Sequence, residues 1–385
     1  MNNIYLDHNA TTPVAPEVLE TVTSVLQNQF GNPSSVHSAG RSARVLIDEA
    51  REQVASLIGA SPSEIIFTSG GTEANNFALL GVALKAGKGH IVTSQVEHPS
   101  ILNPCLQLEG LGFEVDRLKV NGLGRIDGLE DSLKESTLLV SLQHANSETG
   151  VLQDIEKAGE SAQNKGVLFH TDAVQSVGKI PFSVQDLPID MMSISAHKLN
   201  GPKGVGALYL RKGSRDLFSP ICGGGQEKKR RGGTENVAGI AGFGKACELA
   251  SMSLQETSKI SSLRDHFFNL VSRKISGVEV FGDLENRLPN TLNLGFEGVE
   301  GDTLLIGLDM AGVAVSTGSA CSSGTGLPSP VLTAMGIQTD KINSSIRFSF
   351  GRSNSIEEIE KAAEILERTV SLNRTGNYTE RAIKT

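Results

Sequence analysis

Cysteine is scarce and scattered in this chain. Its 385 residues contain four, Cys105, Cys222, Cys247 and Cys321, with no C-x-x-C pair and no cysteine-rich cluster, which argues against structural zinc and against a disulfide framework. Long apolar runs are missing as well. No stretch reaches the roughly 18–20 residues of a bilayer span, and Met1-Asn2-Asn3 is not a basic segment leading into a hydrophobic one. A cytoplasmic protein with no membrane partner is therefore expected. Excess positive charge is also absent: 35 Lys and Arg face 43 Asp and Glu, a net charge of -8. That balance disfavours a general affinity for nucleic acid or anionic membranes, so any phosphate must be held locally. The chain has no Walker A loop, and GPKGVG (201–206) is no dinucleotide fingerprint, because a strand rather than a helix follows it. Internal repeats and low-complexity segments are absent too.

Glycine, by contrast, is abundant. The 42 glycines, about 11% against a usual roughly 7%, suggest many tight strand-to-helix turns. With 38% hydrophobic and 20% charged residues, the chain reads as a globular protein of one large or two medium domains. From about 41 to 212 helical periodicity alternates with short apolar runs: helices near 41–58, 72–86, 98–109, 128–135 and 154–164, and strands near 64–70, 90–95, 113–120, 137–144, 167–173, 190–197 and 206–211. This α/β alternation, with continuous apolar strands, predicts a mostly parallel sheet covered by helices on both faces. A helical stretch over 235–275 marks a domain boundary. Beyond it, strands near 278–282, 290–296, 313–316 and 345–350 alternate with helices near 302–311, 329–335 and 355–372, a smaller α/β unit, and the last dozen residues read as a frayed tail.

In open parallel sheets, ligands sit beyond the carboxyl ends of the strands, so the polar residues just past those ends are the candidates. The strand at 64–68 runs into Ser69-Gly70-Gly71-Thr72-Glu73, where helix-end N–H groups and the Thr72 hydroxyl can hold a phosphate; a plain turn with Thr72 as N-cap accounts for the same residues about equally well. His98 stands at a strand-helix junction, a place where a capping role is the commoner one. The strand at 167–171 ends in Asp172 and, three residues on, Gln175; a buried carboxylate there must be paired or face a cation. The strand at 190–194 leads to Ser195, His197 and Lys198 in a Gly/Pro loop. A lysine delivered by a hydrophobic strand suits a Schiff-base amine, which must be desolvated to be nucleophilic. One cofactor uses a buried lysine, an acid facing a pyridinium nitrogen and a helix-end phosphate cup together: pyridoxal 5'-phosphate.

Cys321 lies in the Gly- and Ser-rich run STGSACSSGTG (316–326). Such a loop is expected to be exposed and mobile, and beside a pyridoxal phosphate site its thiol is a candidate nucleophile. Arg347, between Ile346 and Phe348 on an apparent strand, needs an anion, for which a substrate carboxylate is suited. The basic run in QEKKRRGGTEN (226–236) reads as a solvated loop rather than a nucleic-acid patch, and its Arg231-Gly232-Gly233-Thr234 end resembles another small-residue anion site.

Over nearly its whole length the chain resembles the cysteine desulfurases of the NifS/IscS type, in the class V aminotransferase group. The matching segments are YLDHNATTP (5–13), FGNPSSVH (30–37), FTSGGTEANN (67–76), EHPS (97–100), HTDAVQSVGK (170–179), SAHKLNGPKGVGALY (195–209), RGGTEN (231–236), STGSAC (316–321) and SIRFSFGR (345–352). The resemblance implies fold-type I, with a seven-stranded sheet in a large domain (14–250) and a small domain (1–13 and 251–385) that carries the cysteine loop at about 317–328. It implies pyridoxal 5'-phosphate on Lys198, which would also move protons, Asp172 against the pyridinium, Gln175 at the phenolic oxygen and His98 as a catalytic residue stacked over the ring and assisting proton transfer. Gly71, Thr72, Ser195 and His197 would hold the phosphate, with Thr234 supplied by the other subunit of a homodimer. Arg347 would bind the substrate carboxylate, and Cys321 would take sulfur from L-cysteine as a persulfide destined for an acceptor protein. A selenocysteine lyase or an aminotransferase is the alternative on the same fold. Two departures stand out. Where the family commonly has N-N-E-x-G, this chain has Asn146-Ser147-Glu148-Thr149-Gly150, and its C-terminal tail does not resemble the extension with which housekeeping desulfurases meet the iron-sulfur scaffold, so the partner is left open.

Overall fold

The computed structural model describes residues 4–317 and 328–376. Cys321 and nearly all of the loop expected at about 317–328 lie outside the described residues. The strands are β1 (Ile4–Tyr5), β2 (Ile65–Thr68), β3 (His90–Ser94), β4 (Glu114–Leu118), β5 (Thr137–Gln143), β6 (Leu168–Asp172), β7 (Met191–Ser195), β8 (Gly206–Leu210), β9 (Val278–Val280), β10 (Thr291–Phe296), β11 (Val313–Ala314) and β12 (Ser345–Ser349).

Seven of them form one sheet in the order β2-β8-β7-β6-β5-β3-β4. The pairings from β4 through β3, β5 and β6 to β7 are parallel, while β8 runs antiparallel to both β7 and β2. Successive side chains of a strand point to opposite faces, and here both faces are covered. On one, Ile66, Ile91, Leu139, Met191 and Leu208 pack with Phe77 and Ile101 from the helices Gly71–Ala86 and Pro99–Gly110. On the other, Phe67, Val92, Val140, Phe169 and Met192 pack with Val54 and Phe243 from the helices Ser38–Ile58 and Val237–Ser253. Each such buried side chain contributes about 1.5–3 kcal/mol of apolar transfer energy, which is why the strands read as continuous apolar runs rather than as an alternation.

A second core joins Ile4 and Leu6 to Phe267, Leu294, Leu308, Phe348 and Leu366. It is built on the antiparallel sheet β12-β10-β9 and the helices Thr257–Lys274, Gly301–Met310 and Ile356–Arg374. The expected helical stretch over 235–275 is two helices broken at Leu254–Glu256. The helix expected at 128–135 shrinks to Leu129–Ser132, because Gly128 starts it in the left-handed region and Leu133 already returns to extended backbone. The helix Pro16–Asn28 escaped the periodicity search, since it buries only Val18 and Val25.

Candidate active site

β6 and β7 are neighbours in the sheet and end side by side, so the fold delivers Asp172 and the Ser195–Lys198 turn to one place. Asp172 is buried. Its Oδ2 accepts from Asn75 Nδ2 at 2.7 Å and its Oδ1 from the Val174 N–H at 3.0 Å. Lys198 closes a short 3-10 turn after β7, and its Nζ donates to the carbonyls of Asn9 at 2.5 Å and Ala10 at 2.7 Å. His98 caps the helix Pro99–Gly110, as a residue at that junction does, with Nδ1 accepting the Ser100 N–H at 3.1 Å and lying 2.7 Å from Ser100 Oγ. Burial holds the imidazole pKa below its usual value and the Lys198 charge adds to this, while the Asp172 charge opposes it.

The helix Gly71–Ala86 begins at Gly71, with Gly70 as N-cap and no side-chain cap bond, so the cap residue puts no oxygen of its own on the first-turn N–H groups and they suit an anion. Thr72 is thus inside the helix, not its cap. A Cβ on Gly71 would come within 2.7 Å of Val174 and 3.5 Å of Ser195, which explains why the helix can start so close to the ends of β6 and β7. Ser195 is buried at the end of β7. His197 Nδ1 lies 3.1 Å from Thr11 Oγ1, and burial followed by the charges of Lys198, Lys203 and Lys179 pushes its pKa down to about 4. The Ser195 hydroxyl, the His197 imidazole, the buried Asp172 carboxylate and Lys198 past the ends of β6 and β7, with the helix start at Gly71 beside them, fit pyridoxal 5'-phosphate.

The N-terminal segment was missed as a source of functional groups. Asn9 Nδ2 donates to Thr291 Oγ1 and to the carbonyl of Ser147, while its backbone carbonyl accepts from Gln175 Nε2 at 3.0 Å. Gln175 Oε1 in turn accepts from Lys179 Nζ at 3.0 Å, and Lys179 also reaches Asn9 Oδ1 at 3.1 Å. Burial, then the charges of Lys198 and Arg347, holds the Lys179 amine well below its usual pKa. Arg347, from β12, donates to the Ser147 carbonyl at 3.1 Å and pairs with Asp7 at 2.7 Å. Its anion within the chain is therefore a carboxylate that sequence reasoning did not single out. Contacts at sequence separations above 100 leave no local pattern; the match of YLDHNATTP and HTDAVQSVGK to a family was their only signal.

Thr234 is exposed on the loop before the helix Val237–Ser253, and that loop is tied to the helix Gly71–Ala86 by the 2.8 Å pair Arg231–Glu73. Cys105 and Cys247 are sealed in the core, where burial raises both thiols, Cys105 to about 12; Cys222 is exposed.

The family model for aminotransferase class-V matches residues 4–362. The chain is 48% identical over 377 residues to cysteine desulfurase IscS of Dictyoglomus turgidum, covering 97% of this chain and 95% of that one. A solved NifS-like protein superimposes with a TM-score of 0.90 at 38% identity, covering 96% of this chain and all of that one. A structure described as SspA in complex with cysteine gives 0.81 at 38% identity, over 90% and 98% of the two chains. The chain belongs to the aminotransferase class-V family and, within it, to the cysteine desulfurases of the NifS/IscS type.

Proposed function

We propose that the protein is a pyridoxal 5'-phosphate-dependent cysteine desulfurase that converts L-cysteine to L-alanine and keeps the sulfur as a persulfide on Cys321 for an acceptor protein. One observation carries this reading. The segment Asp7–Ala10 meets Lys198 through the carbonyls of Asn9 and Ala10, and Arg347 through the Asp7 carboxylate, so the lysine suited to the cofactor and the arginine suited to a carboxylate converge on four consecutive residues. When bound, pyridoxal 5'-phosphate supplies an electron sink for the substrate carbons.

The chain's own groups do the rest. Lys198 would hold the cofactor and move protons at Nζ. Asp172 would pair with its ring nitrogen, Gln175 would meet its phenolic oxygen and His98 its ring face, with Gly71, Thr72, Ser195 and His197 on the phosphate. Arg347 orients L-cysteine by its carboxylate. Cys321 supplies the thiolate: an S–S bond forms as the substrate's C–S bond breaks, the carbon keeps the electron pair and takes a proton, and alanine leaves. No external oxidant is needed, because the thiol is oxidised as the carbon is reduced.

A homodimer is supported by the exposed apolar residues Leu26, Phe30 and Val36, at 71%, 93% and 88% exposure, which a second subunit would cover while its Thr234 reached the phosphate. The two apolar cores support a division near residue 250, with residues 1–13 joining the C-terminal unit. No described helix is long and apolar enough to cross a membrane. The test is to supply L-cysteine and a thiol reductant and to quantify alanine and sulfide together: equal yields support the desulfurase, whereas amino transfer that depends on an added keto acid supports an aminotransferase instead.

A further inference from the structure

Between Asp172 and His98 lie two side chains to which neither the motifs nor the site chemistry assigned a role. Asn75, one turn into the helix Gly71–Ala86 and only 1% exposed, donates through Nδ2 to Asp172 Oδ2 at 2.7 Å and to Ser100 Oγ at 2.8 Å. Ser100 Oγ lies 2.7 Å from His98 Nδ1. The polarity of this chain follows from chemistry. An ionised carboxylate only accepts, so the amide nitrogen, not the oxygen, must face Asp172. The second amide N–H then occupies Ser100 Oγ as acceptor, which leaves the hydroxyl proton for His98 Nδ1. Nδ1 also accepts the Ser100 backbone N–H, so both bonds require it unprotonated, and the proton of the neutral ring sits on Nε2.

Asn75 Oδ1, meanwhile, is buried with no hydrogen-bond partner among the described residues. An unsatisfied buried acceptor costs about 1–3 kcal/mol. The two bonds that the amide nitrogen donates to Asp172 and Ser100 offset that cost.

We propose that Asn75 and Ser100 are positioning residues, a two-member bridge that aligns the Asp172 carboxylate and holds His98 as the Nε2–H tautomer. His98 is then a donor at Nε2 in its neutral form, and it becomes a base there only if the bridge reverses. The charged groups that act on the ring are Asp172 from β6 and Lys198 from the turn after β7, with Glu97 its sequence neighbour. The role in turnover rests on the desulfurase reading; the tautomer does not.

The test therefore has two arms. In cofactor-free protein, nitrogen NMR of the imidazoles, with His98 identified by its loss in His98→Gln, should show Nε2 protonated in the wild type. Ser100→Ala removes the hydroxyl bond to Nδ1 and leaves the backbone N–H bond, so it should move the His98 Nδ1 signal and admit a minor Nδ1–H fraction, and Ser100→Thr, which keeps the hydroxyl, should restore the wild-type signal. In loaded enzyme, Asn75→Leu and Ser100→Ala should shift the pH midpoint of the cofactor absorbance and lower kcat about tenfold with little change in KM for L-cysteine. A His98 Nδ1 signal that does not move in Ser100→Ala overturns the bridge even if turnover falls. Tautomer shifts in a protein that makes no alanine from L-cysteine leave the bridge standing and overturn the desulfurase instead.

Discussion

The guanidinium of Arg347 and the carboxylate of Asp7, 340 residues apart in sequence, meet at 2.7 Å. Arg347 is 2% exposed, so removal of the Asp7 carboxylate takes an ion pair from a buried charge. Asp7→Ala should cost about 2 kcal/mol of unfolding free energy, below the range for a fully buried pair because Asp7 retains some exposure. Asp7→Asn keeps the shape but removes the charge that competes with a substrate carboxylate. It should lower KM for L-cysteine about 3- to 10-fold with kcat little changed, which steady-state kinetics will read; an unchanged KM would argue that substrate does not engage Arg347.

Lys198 is expected to hold the cofactor covalently. Borohydride reduction of the loaded enzyme should leave the cofactor's mass on the peptide that carries Lys198, and Lys198→Ala should lose turnover by at least about a thousandfold. The buried Lys179 makes this a real choice between two amines, and a label on Lys179 would reverse the assignment.

Glu97 supplies a pH prediction. Its Oε1 accepts from Ser94 Oγ at 2.6 Å and from the Gln143 N–H at 3.1 Å, while burial pushes the carboxyl up to about 8. The folded protein therefore keeps this proton well above the pH at which the unfolded chain, near 4.5, loses it. Its stabilising effect is full below about 4.5 and is lost as pH rises through 8. Glu97→Gln mimics the neutral acid, so wild type and variant should have similar denaturation midpoints at pH 5, and the variant should be the more stable at pH 8.5. Equal midpoints at both pH values would show that Glu97 is ionised in the fold.

The exposed apolar side chains of Leu26, Phe30 and Val36 predict that Phe30→Glu weakens self-association. Sedimentation at micromolar concentration should show the wild type as a dimer and the variant shifted toward monomer, and a wild-type monomer would remove the basis for a Thr234 contact between subunits.

Much of this architecture was legible because its causes are local. Strands buried on both faces must be apolar throughout, and helices packed on one face must repeat at 3.6 residues, so β6 and β7 could be placed and the polar residues at their ends, Asp172 and Lys198, singled out. Asp7, Asn9, Asn75 and Ser100 were not singled out. Asp7 and Asn9 act through contacts with residues more than 130 positions away, and Asn75 and Ser100 sit in helical stretches where a lone amide or hydroxyl resembles any other turn of helix. Only the closed hydrogen-bond chain distinguishes them.

The most direct test of the central claim is mass spectrometry of the loaded enzyme after exposure to L-cysteine without reductant. The account predicts that the peptide bearing Cys321 gains the mass of one sulfur atom, that alanine appears in equal amount, and that Cys321→Ala yields neither. Sulfur on the exposed Cys222 instead, or alanine formed at the wild-type rate by Cys321→Ala, would contradict it.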